Sequence, residues 1–271
     1  MIHLLPLLAC QVERANPAFD DAAVLALQEF PAQDPVNLAF AARALEADIL
    51  TYPLDGQLAD RSFEPVRLTA EDVATFEDVP DRDPSLCLPV AVTHRSPAAL
   101  DDHVRVQMLA DQTPIEPASP EVYDRMILEG EDCFADRGCD FLITENPLIK
   151  KNAAMTLDYT LWKDFRWVDM NLPDPADVPE GEVAVNEGDP RWGIVGRSWI
   201  SEETVAEEGT SILQSYTLEV WVPEDGGSTL RMMGLWSETD SSFGDDVIAG
   251  TTRSGIDGIF EAADEWIEDN P

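Results

Sequence analysis

The carboxy-terminal half of the chain contains a series of strand-like runs followed by one long amphipathic segment, and this order constrains the fold most. Six runs alternate apolar and polar side chains or are rich in β-branched and aromatic residues, with Gly, Pro and acidic turns between them. Short turns join antiparallel neighbours, so the series predicts an antiparallel sheet. The runs are residues 122–128, 141–144, 155–170, 192–200, 212–222 and 229–238.

The longest run, residues 155–170, has the period of two that is typical of a half-buried strand. Its apolar face carries residues such as Phe165 and Trp167, and Lys163 falls on the same face. A cation in an apolar row either pairs with an acid, sits at a bulge or lines the polar end of a pocket. The pattern leaves these interpretations open.

The last segment predicts a long helix that packs on the sheet. Apolar residues recur at intervals of three and four between residues 248 and 267, which gives a broad stripe over about six turns. Asp245 and Asp246 stand at its start, where the helix dipole favours negative charge. Such a stripe needs an apolar partner, and the predicted sheet supplies that surface.

The amino-terminal third has helical apolar spacing instead of strand-like runs. Apolar spacing predicts a helical hairpin from residues 19–30 and 38–49, then a Pro- and Asp-rich connection at 51–88 with a short helix that begins at Thr69-Ala70-Glu71-Asp72. A strand at 89–94 and a helix with Leu100, Val104 and Met108 on its core side follow, and this phasing places His103 on the exposed side. We therefore divide the chain into a tether at 1–18, a helical segment at 19–88 and an α+β domain at 89–271.

The amino terminus carries an export signature. Leu7-Leu8-Ala9-Cys10 resembles the lipobox of bacterial lipoproteins, which implies cleavage before Cys10 and a diacylglycerol on its thiol. No Lys or Arg precedes it, and the apolar run at 2–9 is shorter than a complete signal peptide, so we expect the true start upstream. The alternative is a chance cysteine after a short apolar stretch.

Three further cysteines remain. Cys133 and Cys139 enclose a small loop that contains Gly138, and export to an oxidising compartment favours a disulfide between them. Zinc would need four ligands at metal-type spacings, and the chain has only three histidines. We expect Cys87 to be a buried apolar residue.

The charge restricts the partners. Acidic residues number 54 against 17 basic ones, a formal charge of -37 that is typical of halophilic or marine adaptation. Such a surface repels phosphate backbones and anionic head groups, which disfavours nucleic acid and direct lipid adhesion as partners. Calcium stays open as an alternative because aspartates cluster in two loops, at Asp78, Asp81 and Asp83 and at Asp169, Asp174 and Asp177.

Catalytic motifs are absent from the sequence. It has no Gly-x-Ser-x-Gly elbow, no His-Glu-x-x-His and no P-loop, and no feature indicates a cofactor or a resident metal. His94 and His103 lie near several aspartates, which keeps acid–base chemistry open as a minor alternative. The prediction is therefore a protein without catalysis.

The order of elements resembles the START-like helix-grip fold, over residues 89–271. That resemblance implies an α+β domain in which a curved antiparallel sheet of six to seven strands packs on a long C-terminal helix, with a hydrophobic cavity between them, here preceded by the helical segment. Local motifs resemble uncharacterised acidic predicted lipoproteins of Gram-negative bacteria. These motifs are Lys163-Asp164-Phe165-Arg166-Trp167, Arg197-Ser198-Trp199, Gln214-Ser215-Tyr216 and Leu235-Trp236-Ser237-Glu238.

Together these features predict a lipid-anchored protein of the cell envelope, periplasmic or in the outer membrane, that binds an apolar small molecule or acyl chain. One alternative is a protein-interaction module with a packed core that has no pocket, and another is a polyketide-cyclase-type enzyme. The predicted ligand contacts are the aromatic and cationic strand residues Tyr159, Lys163, Trp192, Tyr216 and Trp236.

Overall fold

A computed structural model gives the structure of the protein and describes residues 19–51, 55–57, 65–116, 120–151, 156–204 and 210–271. The proposed lipidation site Cys10 lies outside the described residues. The helices are α1 (Phe19–Glu29), α2 (Val36–Ile49), α3 (Leu100–Gln107) and α4 (Asp245–Asp269). The strands are β1 (Asp55–Gln57), β2 (Leu88–Ser96), β3 (Pro120–Tyr123), β4 (Met126–Glu129), β5 (Phe141–Lys151), β6 (Thr156–Asp169), β7 (Trp192–Ile200), β8 (Ser211–Pro223) and β9 (Thr229–Asp240).

The strands form one antiparallel sheet in the order β1-β2-β9-β8-β7-β6-β5-β3, and β4 pairs with the other half of β5. The sheet is curved, and the long helix α4 lies against β2, which confirms the predicted α+β helix-grip class. Within the described residues the sheet has nine strands, where six to seven were predicted. The difference comes from the short strand β1 and from the division of one predicted strand into β3 and β4.

Strand β5 is longer than predicted because it continues through Pro147. A proline has no N–H for the ladder and usually marks a strand end or an edge. Here Pro147 stands where the edge partner changes, with Glu145 opposite Met126 of β4 and Leu148 opposite Tyr123 of β3. The N–H of Asp124, between the two short strands, donates to the Pro147 carbonyl at 3.1 Å.

The amino-terminal segment covers the outer face of the sheet. Helices α1 and α2 pack on each other, and their alanine- and leucine-rich faces join a core with Val195, Leu218 and Val220 of the sheet. Arg166 of β6 is buried here and donates to the carbonyls of Phe30 and Ala32 at the end of α1. The segment and the sheet therefore share one core.

The inner face of the sheet meets helix α4 and helix α3. Met233 packs with Phe260, while Phe165 and Trp221 lie in a neighbouring cluster with residues of α3. Only the second half of the predicted α4 stripe is buried, at Ile256, Phe260, Ala263 and Ile267. No helix within the described parts of the chain is long and apolar enough to cross a membrane.

The structure confirms the predicted disulfide and corrects two local expectations. Cys133 and Cys139 are bonded, and Cys87 is fully buried, where burial raises its thiol pKa to about 12. Residues 70–75 form turns and not the predicted helix, because the backbone hydrogen bonds there span three residues instead of four, as from the Asp72 N–H to the Thr69 carbonyl at 3.1 Å and from the Phe76 N–H to the Val73 carbonyl at 3.0 Å. His103 was predicted on an exposed face but is buried, because α3 packs against both β8 and α4.

Candidate functional site

A small cavity lies between the inner face of the sheet and helices α3 and α4. Its volume is about 50 Å³, which holds roughly four water-sized groups. One side is apolar, with Phe165 and Trp221 from the sheet and Ile259 and Ala263 from α4. The other side is polar and charged, and its side chains are Arg125, Lys163, Arg231, Glu116, Glu219, Tyr123, His103, Gln107 and Gln112.

Lys163 belongs to an ion pair on the cavity wall. Its Nζ lies 2.9 Å from Oε1 of Glu219, two strands away on β8. Burial opposes the charge on Lys163, but Glu219 outweighs it, so the pKa of Lys163 is raised. The lone cation that the alternation of β6 placed on the inner face is therefore both ion-paired and part of the cavity lining.

Arg125 forms the corner of the cavity beside Lys163. Its Nε donates to Oδ1 of Asn146 at 2.7 Å, and its Nη1 donates to the backbone oxygen of Gln107. Its guanidinium carbon lies 5.5 Å from the ring centroid of Phe165. Burial lowers its pKa, and Tyr123 and Glu219 oppose that shift.

Arg231 is the most exceptional side chain in the lining. It is only 4% exposed, and among the described residues neither its Nε nor its Nη1 has a hydrogen-bond partner. Two aromatic rings flank it, Phe260 at 4.3 Å and Trp221 at 5.7 Å from the guanidinium carbon. Burial lowers its pKa to about 10, while Glu219 and Asp264 act to raise it, so the side chain is a cation at neutral pH.

Two glutamine side chains add unused polar atoms. Gln107 is buried, and its Oε1 and Nε2 both lack a partner. The Nε2 of Gln112 donates two hydrogen bonds, to the carbonyl of Val106 at 3.0 Å and to that of Leu109 at 2.8 Å. These two bonds fix the orientation of the amide, and its buried Oε1 has no donor.

The cavity lining carries more positive than negative side chains, whereas the whole chain is strongly negative. Three cations line it, and of the two lining carboxylates Glu116 is already paired with Lys150, at 2.9 Å. Glu219 is thus the one lining carboxylate that faces Arg125, Lys163 and Arg231. A protein with a formal charge of -37 has therefore concentrated positive charge in its interior.

A polar chain of four side chains borders the cavity on the α4 side. Oδ2 of Asp264 lies 2.6 Å from Nε2 of His94, and its Oδ1 accepts from the hydroxyl of Ser96 at 2.6 Å. The Ser96 hydroxyl in turn accepts from Nε2 of His103 at 2.9 Å, which requires the proton on that nitrogen. Burial is the largest influence on Asp264 and opposes ionisation, yet the bonds from His94 and Ser96 outweigh it and lower the pKa.

This polar chain has the residue types of a hydrolytic triad but not the arrangement. In a triad the histidine lies between the hydroxyl and the carboxylate and takes the hydroxyl proton. Here Ser96 donates directly to Asp264, whose pKa is lowered. Burial, with Arg231 nearby, lowers the pKa of His103 to about 3, so this imidazole is neutral at pH 7. The arrangement fixes α4 to β2 and α3.

The structure does not bring the five predicted ligand contacts together. Lys163 lines the cavity, and Tyr159 lies beside it near the Lys150–Glu116 pair. Trp192 packs against Trp167, 6.3 Å between ring centroids, and neither ring belongs to the cavity lining. Tyr216 and Trp236 lie on the outer face, in the core shared with the amino-terminal segment.

The sequence reasoning missed Arg231, Arg125, Gln107 and Gln112. Arg231 carried a usable signal, because it is a lone cation inside the apolar run of β9, as Lys163 is in β6. The glutamines and Arg125 gave no such signal, since they come from a short helix and from loops. Only the packing of α3 and of residues 109–116 and 120–125 against the sheet places them at the cavity.

Three of the aspartates considered for calcium accept hydrogen bonds from backbone N–H groups. Asp83 accepts from the N–H of Ser85 at 3.0 Å, and Asp174 accepts from the N–H of Ala176 at 2.9 Å. Asp169 accepts from the N–H of Arg191 at 3.0 Å. Within the described ranges no group of three or more His, Cys, Asp or Glu side chains is placed to hold a metal ion.

Comparison with known proteins places this arrangement beside START-related structures. No family model matches the chain, and no curated protein matches it in sequence. A STAR-related lipid transfer protein from Xanthomonas axonopodis is 13% identical over 68% of this chain and 87% of its own, with a TM-score of 0.42. A START superfamily protein from Mycobacterium smegmatis is 11% identical over 68% and 99%, with a TM-score of 0.40. What the cavity can hold is decided by its own lining.

Proposed function

We propose that the chain is a lipid-anchored binding protein of the cell envelope that holds a small molecule between the sheet and helix α4, without catalysis. One observation carries the binding site: among the described residues, five buried polar atoms of Arg231, Gln107 and Gln112 lack partners, and all three side chains line one small cavity. A buried polar group without a partner destabilises a fold by about 1–3 kcal/mol. A bound molecule that satisfies these atoms would recover that free energy.

The size of the cavity sets the kind of ligand. Sites for drug-sized molecules enclose roughly 300–1,000 Å³, whereas this cavity encloses about 50 Å³. An acyl chain, as the sequence predicted, exceeds that space in this arrangement. The proposal is therefore a compact ligand of a few heavy atoms, with its apolar part against Phe165, Trp221 and Ile259.

Features outside the cavity support the proposed location in the cell envelope. The segment Leu7-Leu8-Ala9-Cys10 supports a lipid anchor, and the bond between Cys133 and Cys139 supports an oxidising compartment. Mass spectrometry of the amino-terminal peptide, from the protein extracted from its native membrane, tests the anchor. Diacylglycerol on Cys10 supports it, and an unmodified Cys10 contradicts it.

The binding site is tested with the full-length protein and a panel of small fragments. The panel contains uncharged, cationic and anionic molecules with few heavy atoms, and NMR reports shifts of the Ile259 methyl and Trp221 indole signals. We expect at least one class to shift them and Ala263→Val, which fills the cavity, to abolish the shift. Ala262→Val is the matched control, because Ala262 directly precedes Ala263 in α4 and does not line the cavity.

The second candidate is the interaction module with a packed core, and the small volume of the cavity favours it. If no fragment shifts the two signals, and a high-resolution crystal structure shows only ordered water in the cavity, the ligand-binding proposal is wrong. Water would then satisfy Arg231, Gln107 and Gln112, and the module would be the better description.

A further inference from the structure

We propose that the ligand is a small hydroxy carboxylate, of the size of glycolate or lactate, whose carboxylate faces Arg231. This inference rests on the proposed function and names the chemical class that the same cavity selects. Three independent properties of the lining support it: the balance of charge, the balance of donors and acceptors, and the volume.

The charge requires an anion. The described lining holds three cations, Arg125, Lys163 and Arg231. It also holds two carboxylates, but Glu116 pairs with Lys150 outside the cavity, so only Glu219 acts on these cations. Glu219 directs an oxygen to Lys163 at 2.9 Å, which leaves Arg231 without an acceptor for Nε and Nη1. Buried charges in proteins are paired or neutralised. An anion at Arg231 would give Nε and Nη1 the acceptor that no described residue supplies.

The hydrogen-bonding groups require a donor as well. Arginine only donates, so its ligand atoms must accept. The Oε1 of Gln112 only accepts, and its orientation is set by the two bonds of its Nε2, so it needs a ligand O–H or N–H. Gln107 offers one acceptor and one donor, both unused. A carboxylate with a neighbouring hydroxyl supplies both kinds of atom.

The volume and the apolar wall limit the rest of the molecule. A space of about 50 Å³ matches roughly four water-sized groups. Val106, Ile115, Met233 and Ile259 offer no hydrogen bonds, so a methyl or methylene group suits that side. Inorganic phosphate has the charge and the size but no apolar part, and we expect it to bind more weakly.

The test compares molecules of nearly equal shape and different charge on the full-length protein. Isothermal titration in a low-chloride buffer uses lactate, 1,2-propanediol as the uncharged analogue, 1-amino-2-propanol as the cationic one, and inorganic phosphate. We expect lactate to bind at least about tenfold more tightly than the others, since a hydrogen bond to a charged group contributes more than one between neutral groups. The NMR signals of Ile259 and Trp221 must shift with it.

Variants assign the interaction to the cavity. Arg231→Gln should weaken lactate binding about tenfold or more, and Glu219→Gln should strengthen it, because the competing carboxylate is removed. Arg95→Gln is the matched control, since Arg95 is a cation of β2 that pairs with Glu224 at the surface. If Arg231→Gln does not fold, Gln107→Leu replaces it and should also weaken binding.

Each result decides between the two proposals. If the propanediol shifts the cavity signals as strongly as lactate, the site binds small molecules but the inference of a carboxylate is overturned. If lactate binds equally to Arg231→Gln and wild type, it binds elsewhere and the inference is again overturned. If none of the four molecules nor any fragment reaches the cavity, the proposed function fails with it.

Discussion

The guanidinium carbon of Arg231 lies 4.3 Å from the ring centroid of Phe260, so a buried cation of β9 rests on an aromatic side chain of α4. The contact joins the sheet to the helix at the cavity, and the ring face offers the cation a partial substitute for solvent. It explains how Arg231 keeps its position although two of its nitrogens lack partners.

The first prediction measures this contact. Phe260→Leu should lower the free energy of unfolding by about 2–3 kcal/mol, through lost packing and a lost cation–π contact. In a protein that already carries Arg231→Met, Phe260→Leu should lower the free energy of unfolding by about 1–2 kcal/mol less, because the cation is gone. Urea denaturation of the four proteins gives this coupling, and additive effects would show that the ring contributes packing alone.

The second prediction concerns the pair of Lys163 and Glu219. Glu219→Gln leaves three cations facing one another and should destabilise by about 3–5 kcal/mol. Lys163→Met leaves Glu219 beside Arg125 and Arg231 and should destabilise by at least about 1 kcal/mol less. Denaturant midpoints of the two variants check the order. The reverse order would mean that the cations do not share Glu219.

The third prediction is a substitution that stabilises the protein. Gln107→Leu removes two buried polar atoms without partners and should raise the free energy of unfolding by about 1–2 kcal/mol in the absence of ligand. Gln214→Leu is the control: Gln214 is also buried, but its Nε2 donates to Asp83 and Glu238, so its loss should destabilise. Thermal unfolding of both variants is the measurement, and a destabilised Gln107→Leu would indicate a partner for that amide.

The fourth prediction is a pH dependence from His103. Its pKa in the folded state is lowered to about 3 from an ordinary 6.5, with burial as the main cause, Arg231 and His94 acting the same way and Asp264 opposing. The unfolded chain therefore binds more protons between these values, so the contribution of His103 to stability rises from about pH 3 to about pH 6.5 and is constant above.

The variant His103→Gln should lack this pH-dependent contribution to the free energy of unfolding. The difference between the unfolding free energies of wild type and variant, measured from pH 4 upward, should grow with pH and become flat above about 6.5. Taking the difference cancels the many surface carboxylates, which titrate in both proteins. Parallel curves across this range would contradict a neutral, buried His103.

The fifth prediction concerns the amino-terminal layer. Arg166→Met removes the donor to the carbonyls of Phe30 at 2.6 Å and Ala32 at 2.7 Å, and should destabilise by about 2–4 kcal/mol. Hydrogen exchange should accelerate first in α1 and α2. Arg95→Met, at the surface of β2, should leave exchange there unchanged, and a uniform acceleration in Arg166→Met would show that the layer does not open separately.

Local patterns in the sequence determined most elements. The span of β7 was predicted without error, β6 and β8 to within one residue at each end, and α4 as one continuous helix. The disulfide between Cys133 and Cys139 followed from a loop of six residues and an expected compartment. These features depend on side-chain periods and short chain separations, which a sequence displays directly.

Only the tertiary structure decided which face of each strand meets which layer. Strand β8 carries Tyr216 and Leu218 on its outward face and Glu219 beside Trp221 on its inward face. Alternation marks the outward face as the more apolar one, but it could not show that the amino-terminal segment, and not α4, covers Tyr216. The cavity likewise unites Gln107, Lys163 and Arg231 from distant parts of the chain. Burial and charge pairing between distant residues are properties of packing, and no local pattern contains them.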